Sequence, residues 1–424
     1  MSPAPSHPRD PIAWHGLITL IFLALVSFRL TIPHKLYFDE VHYVPAARTL
    51  MTLSHAVNEE HPLFGKEVIA LGIALFGDNS LGWRIMSALF GTLGLLAAMR
   101  AMWFASCSRF ASVAAGMLIA TAFPLFVLSR IAMLDVFMVS MTLVGFWAVA
   151  GAVRENETGR RRLAIAGIAF GLAMAAKWNA VPLAMAPGIA FAAIRLRETG
   201  WRFITATRAA PVAGVALWEA ALWLGVVPLL TYWLTYIPAM FYAQDPLAPT
   251  GFVALTRHML FLQDEVVKPH PYQSVWYQWI FDIRPIWYLY ENTDGAQRGI
   301  LMLGNPLTML LGLVGLAWAG VYGFAEGRRD ALALFVLYVV ALGSWIASTK
   351  PVQFYYHYTL PSCFLMGTLA LALGELWKSG RRVIPLLVLA GSVALFAGFW
   401  PILSGAPLAG PQSFNHWMWL DSWR

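Results

Sequence analysis

The sequence predicts an all-α polytopic membrane protein, a bundle of about eleven transmembrane helices with two elaborated external loops. Three observations carry that prediction. Of 424 residues, 59% are hydrophobic and only 12% charged, and the mean hydropathy is +0.63, far from the balance of a soluble domain. Apolar runs of about twenty residues recur along the whole chain. The polar links between those runs sort into a strongly basic set and a set that is not, which is the pattern of alternating membrane faces.

The first apolar run, about Trp14 to Ile32, follows a weakly charged segment and has no small-residue cleavage site. It is expected to stay as a signal anchor. Further spans begin near 81, 111, 134, 163, 180, 209, 300, 331, 355 and 384. The basic links hold Arg109, the Arg154/Arg160/Arg161/Arg162 group, the Arg195/Arg197/Arg202/Arg208 group, Arg328/Arg329 and Lys378/Arg381/Arg382. The positive-inside rule makes these cytoplasmic. The N-terminus is then cytoplasmic, and the loops 33–80 and 237–299 and the tail from Leu403 are external. With no internal repeat or low-complexity linker, residues 1–424 read as a single membrane domain.

The net charge of +7 suits an anionic leaflet or an anionic ligand, and no basic run with interleaved aromatics points to nucleic acid. The two cysteines, Cys107 near a basic turn and Cys363 inside an apolar run, would face each other only across the membrane, so neither a disulfide nor a thiolate metal site is expected. Asn156-Glu157-Thr158 matches a glycosylation sequon but lies in a basic link and is read as chance.

The chemistry-bearing residues concentrate in the external loops. Just past the anchor stand Asp39 and Glu40, within Leu36-Tyr-Phe-Asp-Glu-Val-His-Tyr43. A carboxylate pair at a bilayer surface is costly to desolvate and unneeded for packing, and burial between aromatics would raise the Asp39 pKa. The same loop adds His42, Glu59, Glu60, His61 and Lys66, and its second half, NEEHPLFGKEVIALGIALFG, has the look of a short interfacial helix. Arg130 and Asp135 bracket an external turn, LSRIAMLD; Arg130 either grips a phosphate in a bidentate manner or snorkels to fix the depth of a span. Lys177 in AAKWNA reads as an anchoring cation at a span end. The second loop sets Lys268 and then Arg284 among Trp276, Trp279, Trp287, Tyr288 and Tyr290, an aromatic density suited to sugar stacking or a lipid interface. Lys350 and His357 open a later span within TKPVQFYYHYTLP.

Acids, cations, imidazoles and aromatic platforms thus converge on one compartment. Together they fit group transfer from a phosphate-linked membrane lipid, in which cations stabilise the leaving phosphate and a carboxylate takes the proton of an attacking hydroxyl. There is no Walker A run, Rossmann fingerprint or thiolate metal spacing. His42, His61 and the carboxylates fit no defined metal motif, so no metal and no cofactor is expected.

At this level the chain resembles the protein O-mannosyltransferase family, within the GT-C group of polytopic glycosyltransferases that use polyprenyl-phosphate sugars. The matching stretches are FDEVHY at 38–43, HPLFGK at 61–66, GWRIMSALFG at 82–91, LSRIAMLD at 128–135, AAKW at 175–178, RPIWYLY at 284–290 and FYYHYTLP at 354–361, in family order along nearly the whole chain. The resemblance implies a GT-C type bundle of eleven spans and Asp39 as catalytic base of an inverting transfer, with Arg130 helping to hold the donor phosphate. Arg284, Lys350 and His357 are further candidates for that phosphate. Glu40 is taken with Asp39 as a catalytic candidate, and His61, Lys66 and Asp135 fall to the active-site surround. The implied donor is a polyprenyl-phosphate sugar, mannose first. The implied acceptor is Ser or Thr of exported proteins, on the outer side of a bacterial-type plasma membrane. Some family members pair with a homologue, which leaves a homo- or heterodimer open. Two departures bear on the acceptor: Leu63 stands where the family usually has a second proline after the loop histidine, and the 237–299 loop has no room for an inserted β-trefoil-type domain. Transfer of a pentose or amino sugar to a lipid or polysaccharide, or a lipid-linked sugar flippase, are the alternatives.

Overall fold

The computed structural model describes residues 9–265, 269–348 and 350–424; Lys268 lies outside them. The expected anchor is α1 (Ile12–Ser27). The first long loop folds into two short helices, α2 (Glu40–Met51) and α3 (Phe64–Phe76). There follow α4 (Ser80–Ser106), α5 (Arg109–Thr121), the short α6 (Pro124–Leu128), α7 (Leu134–Arg154), α8 (Gly159–Ala176) and α9 (Val181–Thr199). The next helix, α10 (Leu217–Ala221), passes through a π-helical turn at Leu222–Val226 into α11 (Val227–Leu234). The second loop region carries α12 (Phe252–Asp264), α13 (Trp276–Ile280) and a hairpin of β1 (Ile286–Thr293) with β2 (Ala296–Met302). The chain finishes in α14 (Pro306–Ala325), α15 (Arg329–Ile346), α16 (Thr359–Lys378) and α17 (Val383–Ser404).

Among the described residues, eight helical stretches are long and apolar enough to cross a membrane. The protein is a multi-pass membrane protein. The expected spans near 14, 111 and 163 fall on α1 and α5, which are shorter, and on α8, whose first turn carries Arg160, Arg161 and Arg162. Two expected starts move. The span placed near 209 begins at Leu217, after an irregular stretch, and the one placed near 300 begins at Pro306. The second shift has a cause: the apolar residues Ile300, Leu301 and Met302 pair as the end of a strand.

The helical bundle is as expected, and a single two-stranded hairpin is added to it. β1 and β2 pair antiparallel from Ile286↔Met302 to Thr293↔Ala296, joined by Asp294-Gly295 with φ of 49° and 72°. Positive φ at both turn positions is what a two-residue type I′ hairpin requires, and Asp-Gly supplies it at low cost. The hairpin then fixes the segment ahead of α2. Asp294 accepts from the His34 backbone N–H (3.0 Å), and Lys35 meets Glu291 at 2.5 Å.

The helices approach closely where residues are small. A Cβ on Gly72 of α3 would lie 2.4 Å from the Gly82 carbonyl oxygen of α4, so only glycine permits this crossing, the usual device where no hydrophobic force draws helices together in lipid. At the start of α4, the Asn79 side chain accepts from the N–H groups of Leu81 (2.9 Å) and Gly82 (3.2 Å), satisfying donors that a helix start leaves free. The α2–α3 layer is therefore held tightly on the end of the bundle opposite the basic links.

Candidate active site

Asp39 and Glu40 are adjacent in sequence and part company in space. Phe38 takes φ 50°, a conformation that costs about 1–3 kcal/mol for a bulky residue unless the surroundings hold it. Its ring stacks on Tyr288 of the hairpin at 4.2 Å, which provides the hold. From this kink, Glu40 turns into the core. Its carboxylate accepts from Arg84 Nε (2.7 Å) and Nη2 (2.8 Å) and from the Ala132 (3.0 Å) and Tyr37 (3.3 Å) backbone N–H groups. Arg84 spends its remaining donors on the carbonyls of Leu30, Pro33 and Lys35, so all five are used.

Asp39, at the N-cap of α2, makes no such bond among the described residues. Its carboxyl faces a cavity of about 150 Å³ together with Glu60, His61, Lys177, Lys350 and Tyr356. An adjoining cavity of about 260 Å³ shares His61, Lys177, Gln263 and Lys350 and adds Trp178 and Trp345. Two chambers thus meet at a partition carrying two cations and an imidazole. Burial pushes the Asp39 carboxyl up to about 6, with Lys177 pulling it down and Asp135 pushing it up. Burial and the neighbouring Lys177 bring the Lys350 ammonium down to about 8. Burial, reinforced by the three lysines around it, holds the His61 imidazole well below its ordinary range, hence neutral.

The cavity wall has its own supports. Lys177 Nζ donates to Asp135 Oδ2 at 2.8 Å and lies 5.0 Å from the centre of the Tyr356 ring. Lys66 is buried and donates to the carbonyls of His61 (2.8 Å), Val57 (3.3 Å) and Asn58, tying down the loop that presents Asn58, Glu60 and His61. Gln263 of α12 donates to the Glu60 carbonyl (2.9 Å). Among the described residues no three His, Cys, Asp or Glu side chains gather as a metal site.

Two family models match this chain. Residues 60–218 match the dolichyl-phosphate-mannose-protein mannosyltransferase model, and residues 249–423 match the C-terminal four-transmembrane region of protein O-mannosyltransferase. The chain belongs to the protein O-mannosyltransferase family. It is a glycosyltransferase. Similar curated proteins are the polyprenol-phosphate-mannose–protein mannosyltransferase of Mycobacterium tuberculosis, 29% identical over 96% of this chain and 91% of that protein, and that of Mycolicibacterium smegmatis, 28% identical over 91% and 87%. Among solved structures, the S. cerevisiae Pmt1-Pmt2 complex bound to the sugar donor shares the fold with a TM-score of 0.82 at 12% identity, over 98% of this chain and 92% of that one. ArnT from Cupriavidus metallidurans bound to undecaprenyl phosphate gives a TM-score of 0.56 at 16% identity, over 89% and 63%. The bundle is of the GT-C type.

In this O-mannosyltransferase family member, the residues singled out from sequence divide by position. Asp39, His61 and Lys350 line the chambers, and Asp135 reaches them through Lys177. Glu40 and Lys66 hold the scaffold from behind. Arg130 stands elsewhere: its guanidinium donates to the carbonyls of Val26 (2.7 Å), Phe28 (2.8 Å), Arg29 (3.3 Å) and Ser404 (3.2 Å). These carbonyls lie at and just beyond the C-terminal ends of α1 and α17, a usual use of arginine, and both Nη groups are engaged there rather than turned to the chambers. Arg284 likewise ties Pro271 (2.6 Å) to Ser422 (3.1 Å) at the surface. His357 is buried, stacked on Trp345 at 3.8 Å, and neither ring nitrogen has a partner among the described residues.

Sequence reasoning missed Lys177, read as an anchor, and also Arg84, Gln263 and Tyr356. The signal for Lys177 was present: a lone lysine at a span end is paired only if an acid lies at the same depth, and Asp135 is that acid, in the first turn of α7. Arg84 offered a similar signal, a charge one turn into an apolar helix.

Proposed function

We propose that this protein transfers mannose from a polyprenyl-phosphate donor to the hydroxyl of Ser or Thr in exported proteins, inverting the anomeric carbon. The observation that carries the reading is one carboxyl, Asp39, which has no partner among the described residues and faces two lysines across a cavity. The family and its polyprenol-phosphate-mannose-dependent relatives support mannose as the sugar and protein as the acceptor.

Asp39 takes the proton from the acceptor hydroxyl as that oxygen forms its bond to C1 of the sugar. The bond from C1 to the phosphate oxygen breaks, and polyprenyl phosphate leaves with one more negative charge than the donor carried. Lys177 and Lys350 face that charge where it develops, which is where electrostatic stabilisation lowers a barrier most. Neutral His61 can donate a hydrogen bond to the same phosphate without demanding another counter-ion. The chamber bearing Trp178 and Trp345 suits the lipid-phosphate side, and the chamber bearing Asp39 and Glu60 suits the sugar and acceptor. The basic links at the opposite end of the bundle support an outward-facing site by the positive-inside rule, in a plasma membrane. No metal is required, since lysines occupy the position a cation would take.

The test is release of mannose from purified polyprenyl-phosphate mannose by the solubilised protein with a Ser/Thr-rich peptide, comparing wild type with Asp39→Asn. Transfer by wild type alone establishes the donor, the acceptor and the base. Turnover by the Asn variant within a few-fold of wild type sinks the role of Asp39.

A further inference from the structure

At the basic end of the bundle, away from Asp39, an apolar crevice of about 430 Å³ opens between α7 and α15. Met102, Phe146, Leu334 and Leu337 line its sides, and Cys363 and Phe364 of α16 close it. At its mouth stand Arg154, the last residue of α7, and Arg329, the first of α15. Both are exposed and neither forms an ion pair among the described residues. The acids beside them are taken. Asp330 is held by Arg328 (3.0 and 3.2 Å), and Glu155 pairs with Arg162.

We infer that this crevice is a binding site for an anionic phospholipid of the surrounding leaflet, with one acyl chain in the crevice and its phosphate between Arg154 and Arg329. Three features of the crevice select that occupant. Its volume falls in the roughly 300–1,000 Å³ range of small-ligand sites, yet its walls offer no polar partners along the helices, so water would not fill it. Its depth is that of one leaflet: Leu143 and Arg154, both in the lining, are eleven positions apart on α7, roughly 16 Å of helix rise, against about 15 Å for half of a bilayer's hydrocarbon core. Its only uncompensated charges are two guanidiniums at headgroup level, which match a phosphate in sign and geometry. The site is separate from the catalytic chambers, and the inference does not depend on the proposed function.

The test uses the full chain in neutral detergent with a phosphatidylglycerol probe carrying a diazirine midway along one chain, followed by peptide mapping after photolysis. The expected result is labelling concentrated on α7, α15 and α16 around Phe146, Leu334 and Cys363. Unlabelled phosphatidylglycerol competes, and phosphatidylcholine of the same chains competes roughly ten- to thirtyfold less well, about the factor expected from two arginines near a headgroup. The Arg154→Gln/Arg329→Gln double variant, changed only at exposed positions, loses that preference. Ala333→Trp, which fills the crevice and leaves both arginines, loses the labelling itself. Equal competition by the two lipids, labelling spread evenly around the bundle, or an unchanged preference in the double variant each overturns the inference.

Discussion

The wall around Asp39 and the knot around Glu40 are built from neighbouring residues and obey opposite rules. Glu40 and Arg84 are both fully buried, and every charge and donor in the knot is met by a partner. Asp39 has none among the described residues, and burial lifts its pKa toward neutrality. A buried charge that is fully paired can only hold structure; a buried charge left unpaired is unstable where it stands and is available for chemistry. The pair teaches that adjacent carboxylates at a helix start point in different directions and are sorted by what lies across from each.

Substitutions at the two positions should therefore fail in different assays. Asp39→Asn is expected to lower turnover by about two to four orders of magnitude, the usual worth of a general base. It should not lower the melting temperature. Burial raises the folded-state pKa of Asp39, so the ionised carboxylate destabilises the fold at pH values above its unfolded value, fully so above about 6. The Asn variant should melt slightly higher than wild type at pH 7.5, with the gain vanishing below the unfolded pKa. A lower melting temperature at pH 7.5 would erase the distinction between wall and knot. Glu40→Gln reverses the pattern: leaving Arg84 buried without its counter-charge should cost about 3–5 kcal/mol of stability, read as a large drop in thermal midpoint in detergent. Protein that survives purification should retain the wild-type pH dependence.

Smaller effects sharpen the picture of the wall. Lys350→Met should slow turnover about ten- to a hundredfold, less than loss of the base because Lys177 remains to face the phosphate. The pH profile of kcat/KM should be bell-shaped. Activity rises as Asp39 loses its proton near pH 6 and falls as Lys350 loses its charge near pH 8. Lys350→Met should remove the basic limb and keep the acid one. The smallest effect is none at all: a chelator should leave the initial rate of transfer unchanged, and a rate restored only by added divalent cation would assign phosphate stabilisation to a metal instead of the lysines.

Much of this was legible along the chain. The apolar runs and the sorting of basic links follow from the cost of charge in a bilayer, which acts on each segment by itself. The short helix expected in the second half of the first loop was also readable, and it is α3. The Asp294-Gly295 turn was also readable, and its hairpin was overlooked because the apolar end of the second strand, Ile300 to Met302, runs into the apolar start of α14. Hydropathy does not distinguish a buried strand from the beginning of a span.

What remained hidden is pairing. Composition and spacing placed Glu40, Arg130, Lys177 and Arg284 at one membrane face and could not say which would find a partner. That depends on residues 44 positions away for Glu40 and Arg84, 42 for Lys177 and Asp135, and 274 for Arg130 and Ser404. The sequence by itself determined a membrane bundle with most of its ionisable residues in the links at its two faces, because desolvation penalises each charge locally. The tertiary structure alone decided that Asp39 faces the chambers, that Lys177 joins the site, and that Arg130 caps helices, because the state of a buried charge is set by the groups packed against it.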